Sequence, residues 1–136
     1  MRDITSTVLY QWFEQVWNQN SEDAIGRLMT QTADFQGIET EGNLKGAPGF
    51  KLFFRAFKAQ FDPVRITVED VVSQDDMEAA RTVITATHVA TNKIVVVPGI
   101  CMIKVDNGKI AQAWNSYDFL SMHEQLGKKL VDADSN

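Results

Sequence analysis

The chain has 136 residues, 44% of them hydrophobic, and a formal net charge of −5. That length suits one domain over 1–136 with a sizeable core, and the composition excludes a disordered or membrane-like chain. The acids are scattered and the bases do not cluster beyond Lys128-Lys129, so nucleic-acid backbones and anionic membranes are excluded as partners.

No apolar run approaches the roughly 18 residues of a membrane span, and Met1 to Thr7 lacks the charged-then-apolar pattern of a secretory signal. The expected compartment is cytoplasmic. Residues 4–19 place Val8, Leu9, Trp12, Phe13, Val16 and Trp17 at helical spacing, which predicts an amphipathic helix. Ser21 is set to cap a second short helix reaching about Thr30, with Glu22 and Asp23 in its first turn. A short strand is expected over 33–38, and Glu41 to Gly49 reads as turn material. Phe50, Phe53, Phe54, Phe57 and Phe61 then form one stripe of a third helix, closed by Pro63. Such a stripe needs a large apolar partner, and a curved sheet is the obvious one.

The second half alternates with a period of two. Val64, Ile66 and Val68 open it. Residues 79–91 follow, with Ala80, Thr82, Ile84, Ala86 and His88 on one row. A β-branched stretch over 95–105 leads through Asp106-Asn107-Gly108, a hairpin turn, into the last strand. Helices first and hairpin-joined strands afterwards predict an α+β fold on an antiparallel sheet.

Most chemical motifs fail. Gly42, Gly46 and Gly49 lack the Gly-Lys-Ser/Thr of a phosphate loop, and His123-Glu124 lacks the second histidine of a zinc helix. His123 reads as a surface residue and Gly127 as the end of the last helix. Two histidines and one cysteine are too few for a nitrogen/sulfur metal site. Cys101 reads as a buried structural thiol. What remains is the last strand, where strict alternation puts Ile110, Gln112, Trp114, Ser116 and Asp118 on one face. Asp118 has two readings: the N-cap of a helix from Phe119, or a carboxylate held over an apolar pocket as a general base. His88, on its row of small residues, is either a satisfied core residue or a partner to Asp118.

Taken together, these residues resemble the SnoaL-like polyketide cyclases of the NTF2-like superfamily. The likeness rests on Trp12-Phe13-Glu14-Gln15-Val16-Trp17-Asn18, on Gly46 to Phe57, on Ala86-Thr87-His88, and on a closing segment with Asn107-Gly108-Lys109-Ile110, Trp114, Asp118 and Gln125-Leu126-Gly127. It departs from the family at Ala86, where glycine is usual, and in the order Phe61-Asp62-Pro63. The resemblance implies a cone-shaped barrel: three N-terminal helices packed in a curved antiparallel sheet, a short C-terminal helix, and an open-ended apolar cavity. It further implies a cyclase-, isomerase- or lyase-type enzyme that needs no metal or organic cofactor. Asp118 would be the general base on a hydrophobic carbonyl compound and His88 the donor to the developing oxyanion. Trp114, Trp12, Phe13, Trp17 and Phe54 would form the substrate wall. The expected partners are a small hydrophobic molecule and a second copy of the chain, paired through the sheet. The alternative is a binding or dimerisation module with the same fold and no turnover.

Overall fold

The computed structural model describes residues 3–38 and 44–133. A short 3-10 turn (Ile4–Ser6) leads into α1 (Val8–Trp12), which continues as a π-helical segment over Phe13–Asn18. Then come α2 (Asp23–Leu28), β1 (Met29–Gln36), α3 (Gly46–Gln60), β2 (Phe61–Gln74), β3 (Met77–His88), β4 (Ile94–Asp106), β5 (Lys109–Tyr117) and α4 (Phe119–Gln125). The strands form one curved sheet in the order β1-β5-β4-β3-β2, with the helices on its inner face. The α+β expectation holds, with two corrections. The sheet does not close into a barrel, and β1 runs parallel to β5 while the other neighbours are antiparallel.

The local boundaries show which signals were strong. Ser21 caps α2 as expected, its hydroxyl accepting the N–H of Ala24 at 3.3 Å, but the helix stops at Leu28 and β1 starts at once. Pro63 does not end α3: the chain turns extended at Phe61, and Pro63 lies inside β2. It is tolerated there because β2 is an edge strand, where a missing N–H leaves no ladder bond unmade. The hairpin turn is as expected, with Asn107 and Gly108 both at positive φ. Part of the expected turn 41–49 lies outside the described residues. Its described end, from Gly46, opens α3 instead. Gly46 sits at φ +66, and a Cβ there would collide with the Gln31 carbonyl, so this helix start is tied to glycine.

Two polar clasps hold helices to unpaired strand edges. The Asn18 amide, at the end of the π-helical segment, donates to the Ile66 carbonyl at 2.8 Å and accepts the Ile66 N–H at 2.7 Å. The Gln125 amide makes the same pair of bonds to Val96, at 2.8 and 2.9 Å. Each side chain imitates a neighbouring strand and satisfies backbone groups that the sheet leaves open. Buried Glu78 on β3 does the equivalent for α1, accepting the N–H groups of Val8 and Leu9 at 3.1 and 2.8 Å.

The core is aromatic. Trp17 touches the rings of Phe54 and Phe57 at 5.0 and 5.5 Å and those of Phe50 and Phe53 at 6.2 Å. The phenylalanine stripe of α3 therefore packs first on the α1 aromatics, which in turn pack on the sheet.

Candidate functional site

β5 carries a bulge that decides the site. Val105 of β4 pairs with Ile110, but Lys104 pairs with Gln112, leaving Ala111 as an extra residue. Strict alternation breaks there. Ile110 faces inward, and beyond the bulge the inward row is Ala113, Asn115 and Tyr117 rather than Trp114, Ser116 and Asp118. Trp114 accordingly stands on the outer face, 38% exposed, and is not a wall of the cavity. This corrects its assignment as a substrate contact.

The inner row closes a deep cleft between the sheet and the α1 and α3 aromatics. It holds about 640 Å3 of empty space counted out to its mouth. Trp12, Phe13 and Trp17 line it, with Phe53 and Phe57 from α3. Phe54 does not; it is buried behind Trp17 as core. Among the described residues no Asp, Glu, His, Lys or Arg lines this cleft. Its polar side-chain groups are Asn115, Tyr117, the thiol of Cys101 and the indole N–H groups of Trp12 and Trp17. The Asn115 amide donates to the Gln36 carbonyl at 2.9 Å, tying β5 to β1.

Tyr117 owes its position to Gly99. The two are register partners, and a Cβ at residue 99 would collide with the Tyr117 ring. The bare glycine lets the ring lie across β4, so that its hydroxyl meets that of buried Thr82 at 2.8 Å. Burial holds the Tyr117 phenol well above its ordinary pKa, reinforced by Cys101, and burial pushes the Cys101 thiol up to about 12. Both groups are neutral at physiological pH. Cys101 is thus a weak nucleophile, and Tyr117 is a polar anchor in an apolar wall.

Asp118 and His88 lie elsewhere. Asp118 is exposed, and its Oδ1 accepts the Ser121 N–H at 3.0 Å as the N-cap of α4, while its own N–H donates to the Pro98 carbonyl at 3.2 Å. The expectation of a carboxylate standing over the cavity is corrected in geometry, because the bulge turns the row that ends at Asp118 outward. His88 ends the inner row of β3, where its ring lies 5.2 Å from that of Phe61. It lines a second, outer pocket of about 560 Å3, counted in the same way, with His123, Lys128 and the α4 residues Phe119 and Met122. Phe53, Phe57 and Phe119 border both spaces, which adjoin along these three rings. Among the described residues no group of three or more His, Cys, Asp or Glu is placed to hold a metal ion. Nor is any helix there long and apolar enough to cross a membrane.

This arrangement, a curved sheet wrapped round aromatic helices over an apolar cleft, defines an NTF2-like protein. The sequence profile of the SnoaL-like polyketide cyclases matches residues 7–126, and the chain belongs to that family. Solved structures agree on the fold. IdmH from Streptomyces antibioticus superposes with a TM-score of 0.76 at 21% identity, over 89% of this chain and 96% of that one. A Bacillus cereus protein with a provisional polyketide cyclase assignment gives 0.78 at 26% identity, over 89% and 79%. A Catenulispora acidiphila protein of ketosteroid isomerase-like fold, solved with trimethylamine, gives 0.80 at 15% identity, over 96% and 98%. No curated protein sequence matches the chain.

Proposed function

We propose that the chain binds a small, flat, hydrophobic carbonyl compound in the cleft between the α1 aromatics and β5. The observation that carries this reading is the cleft itself: apolar on nearly every side, free of carboxylate and imidazole among the described residues, and provided with two polar side chains on one strand, Asn115 and Tyr117. Aromatic walls favour a flat ligand, and a phenol hydroxyl in such a setting is a hydrogen-bond donor for a ligand carbonyl. The reading calls for no cofactor. Calorimetric titration with flat bicyclic ketones tests it. Saturable binding is expected, with the Tyr117→Phe protein about five- to tenfold weaker, the loss of one hydrogen bond. Absence of any saturable binding across the panel sinks the reading.

A second reading, turnover of the cyclase or isomerase type, has its own support. Asp118 lies between Tyr117 and Phe119 in the chain, and both of those line the cleft. Its carboxylate would have to leave the cap of α4 to reach the cavity, and His88 lines the adjoining pocket. In this reading Asp118 removes a proton next to a carbonyl and His88 donates to the resulting oxyanion. Asp118→Asn keeps a good N-cap, so it should leave the fold and ligand binding intact while abolishing turnover. Undiminished turnover would remove Asp118 from the mechanism.

The outer face of the sheet supports the expected homodimer. Val72, Ala79, Met102 and Trp114 lie in one cross-strand row, and Ile100 and Val96 are exposed beside it. A surface row this apolar is suited to burial against a second copy of itself.

A further inference from the structure

Both histidines of the chain line the outer pocket, together with Lys128, and among the described residues no carboxylate lines it. That concentration stands out in a protein of net charge −5. Asp62, next in sequence to the lining residue Phe61, is paired with Lys58 at 2.9 Å. The Lys93 ammonium lies beside Gly127, at the same end of α4. His123 sits in the last turn of α4, on the same side of the pocket.

His88 is tied to the turn after β3: its Nδ1 lies 2.9 Å from the Thr91 hydroxyl, and that hydroxyl accepts the backbone N–H of Lys93 at 3.4 Å. When the hydroxyl donates to Nδ1, the neutral imidazole carries its own proton on Nε2. The remainder of the pocket is aromatic. Phe57 stacks on Phe61 at 4.8 Å, and Phe61 leads to His88. Ring faces thus run from the main cleft, past Phe57, to the basic end.

We propose that the outer pocket is a carboxylate subsite: it receives the acid group of a hydrophobic carboxylic acid whose apolar body lies against Phe53, Phe57 and Phe119 and reaches into the main cleft. His88 and Lys128 hold the carboxylate, and His123 lines the pocket beside them. This assignment rests on the proposed binding role of the cleft and narrows its ligand from any flat hydrophobic carbonyl compound to an anionic one.

The test is calorimetric titration of the full chain with 2-naphthoate and with 2-naphthamide, a neutral probe of the same shape, at neutral pH and low salt. Naphthoate is expected to bind about tenfold more tightly, the worth of a charge-assisted hydrogen bond. His88→Gln and Lys128→Gln should each remove part of that preference, and together all of it. Naphthamide affinity should fall less than naphthoate affinity, and unaltered urea melts should show that the variants are folded. Equal binding of the two probes, or equal weakening of both by the double variant, overturns the subsite and leaves the cleft reading standing. If neither probe binds, the subsite and the cleft reading fall together.

Discussion

The two faces of the sheet use the same strands for opposite ends. On the inner face Val97, Cys101 and Ile103 of β4 are buried against the helices; on the outer face their neighbours Val96, Ile100 and Met102 are exposed. Both rows are apolar, so hydrophobicity alone does not tell them apart. The inner row is distinguished by its helical cover and by the few positions, Gly99 and the Ala111 bulge, that set aside a cleft rather than filling it. Side chains on one face are committed to the stability of the single chain. Those on the other are available to a partner.

The largest expected break in this comparison is Trp17→Ala. Four phenylalanine rings meet that indole, and its removal should cost about 3–5 kcal/mol in urea unfolding, the range for deleting a buried large aromatic. A loss below about 1 kcal/mol would mean that the aromatic core collapses to fill the space. Next in size is Gly99→Ala. Its methyl group would meet the Tyr117 ring, and about 1–3 kcal/mol of destabilisation is expected, the range for overpacking a core. The Gly99→Ala protein should also lose ketone affinity, because Tyr117 must move; unchanged affinity would detach Tyr117 from the ligand.

Raising the pH should act on the inner face alone. The Cys101 thiol ionises near 9 when free and near 12 when buried. Stability should therefore be full below pH 9 and fall as the pH rises from there through 12, because the unfolded chain releases the proton first. Tyr117, shifted in the same direction, adds to the loss at the upper end of that window. Cys101→Ala should flatten the first part of the decline in urea melts, and a decline of unaltered steepness would place its cause elsewhere. The smallest effect on the chain itself belongs to Trp114→Ala, expected to change monomer stability by no more than about 0.5 kcal/mol, as for a surface site. Its reach is on association: sedimentation should show a weaker dimer. A wild-type chain that sediments as a monomer at high concentration would remove the outer face as an interface.

Much of this was legible in the amino-acid order. Helical spacing from Val8 to Trp17 marked α1 and its aromatic face, three members of which line the cleft. Alternation put Ala80, Thr82, Ile84, Ala86 and His88 on one row of β3, and that row is the inner one. Asn107-Gly108 marked the last hairpin, and Ser21 and Gly127 marked helix ends. Periodicity and turn chemistry are local properties, so they can be read one segment at a time. The same method misplaced Trp114 and left Asp118 with two readings, because one extra residue at Ala111 reverses every face beyond it.

No residue type announces that bulge. It exists because β5 must pair with β4 on one side and with parallel β1 on the other while the sheet curves over the helices. The chain's own order determined the helices, the turns, the family and an aromatic core. Which side chains meet in the cleft was decided by strand register, and register is an agreement between segments far apart in the chain, which no segment carries alone.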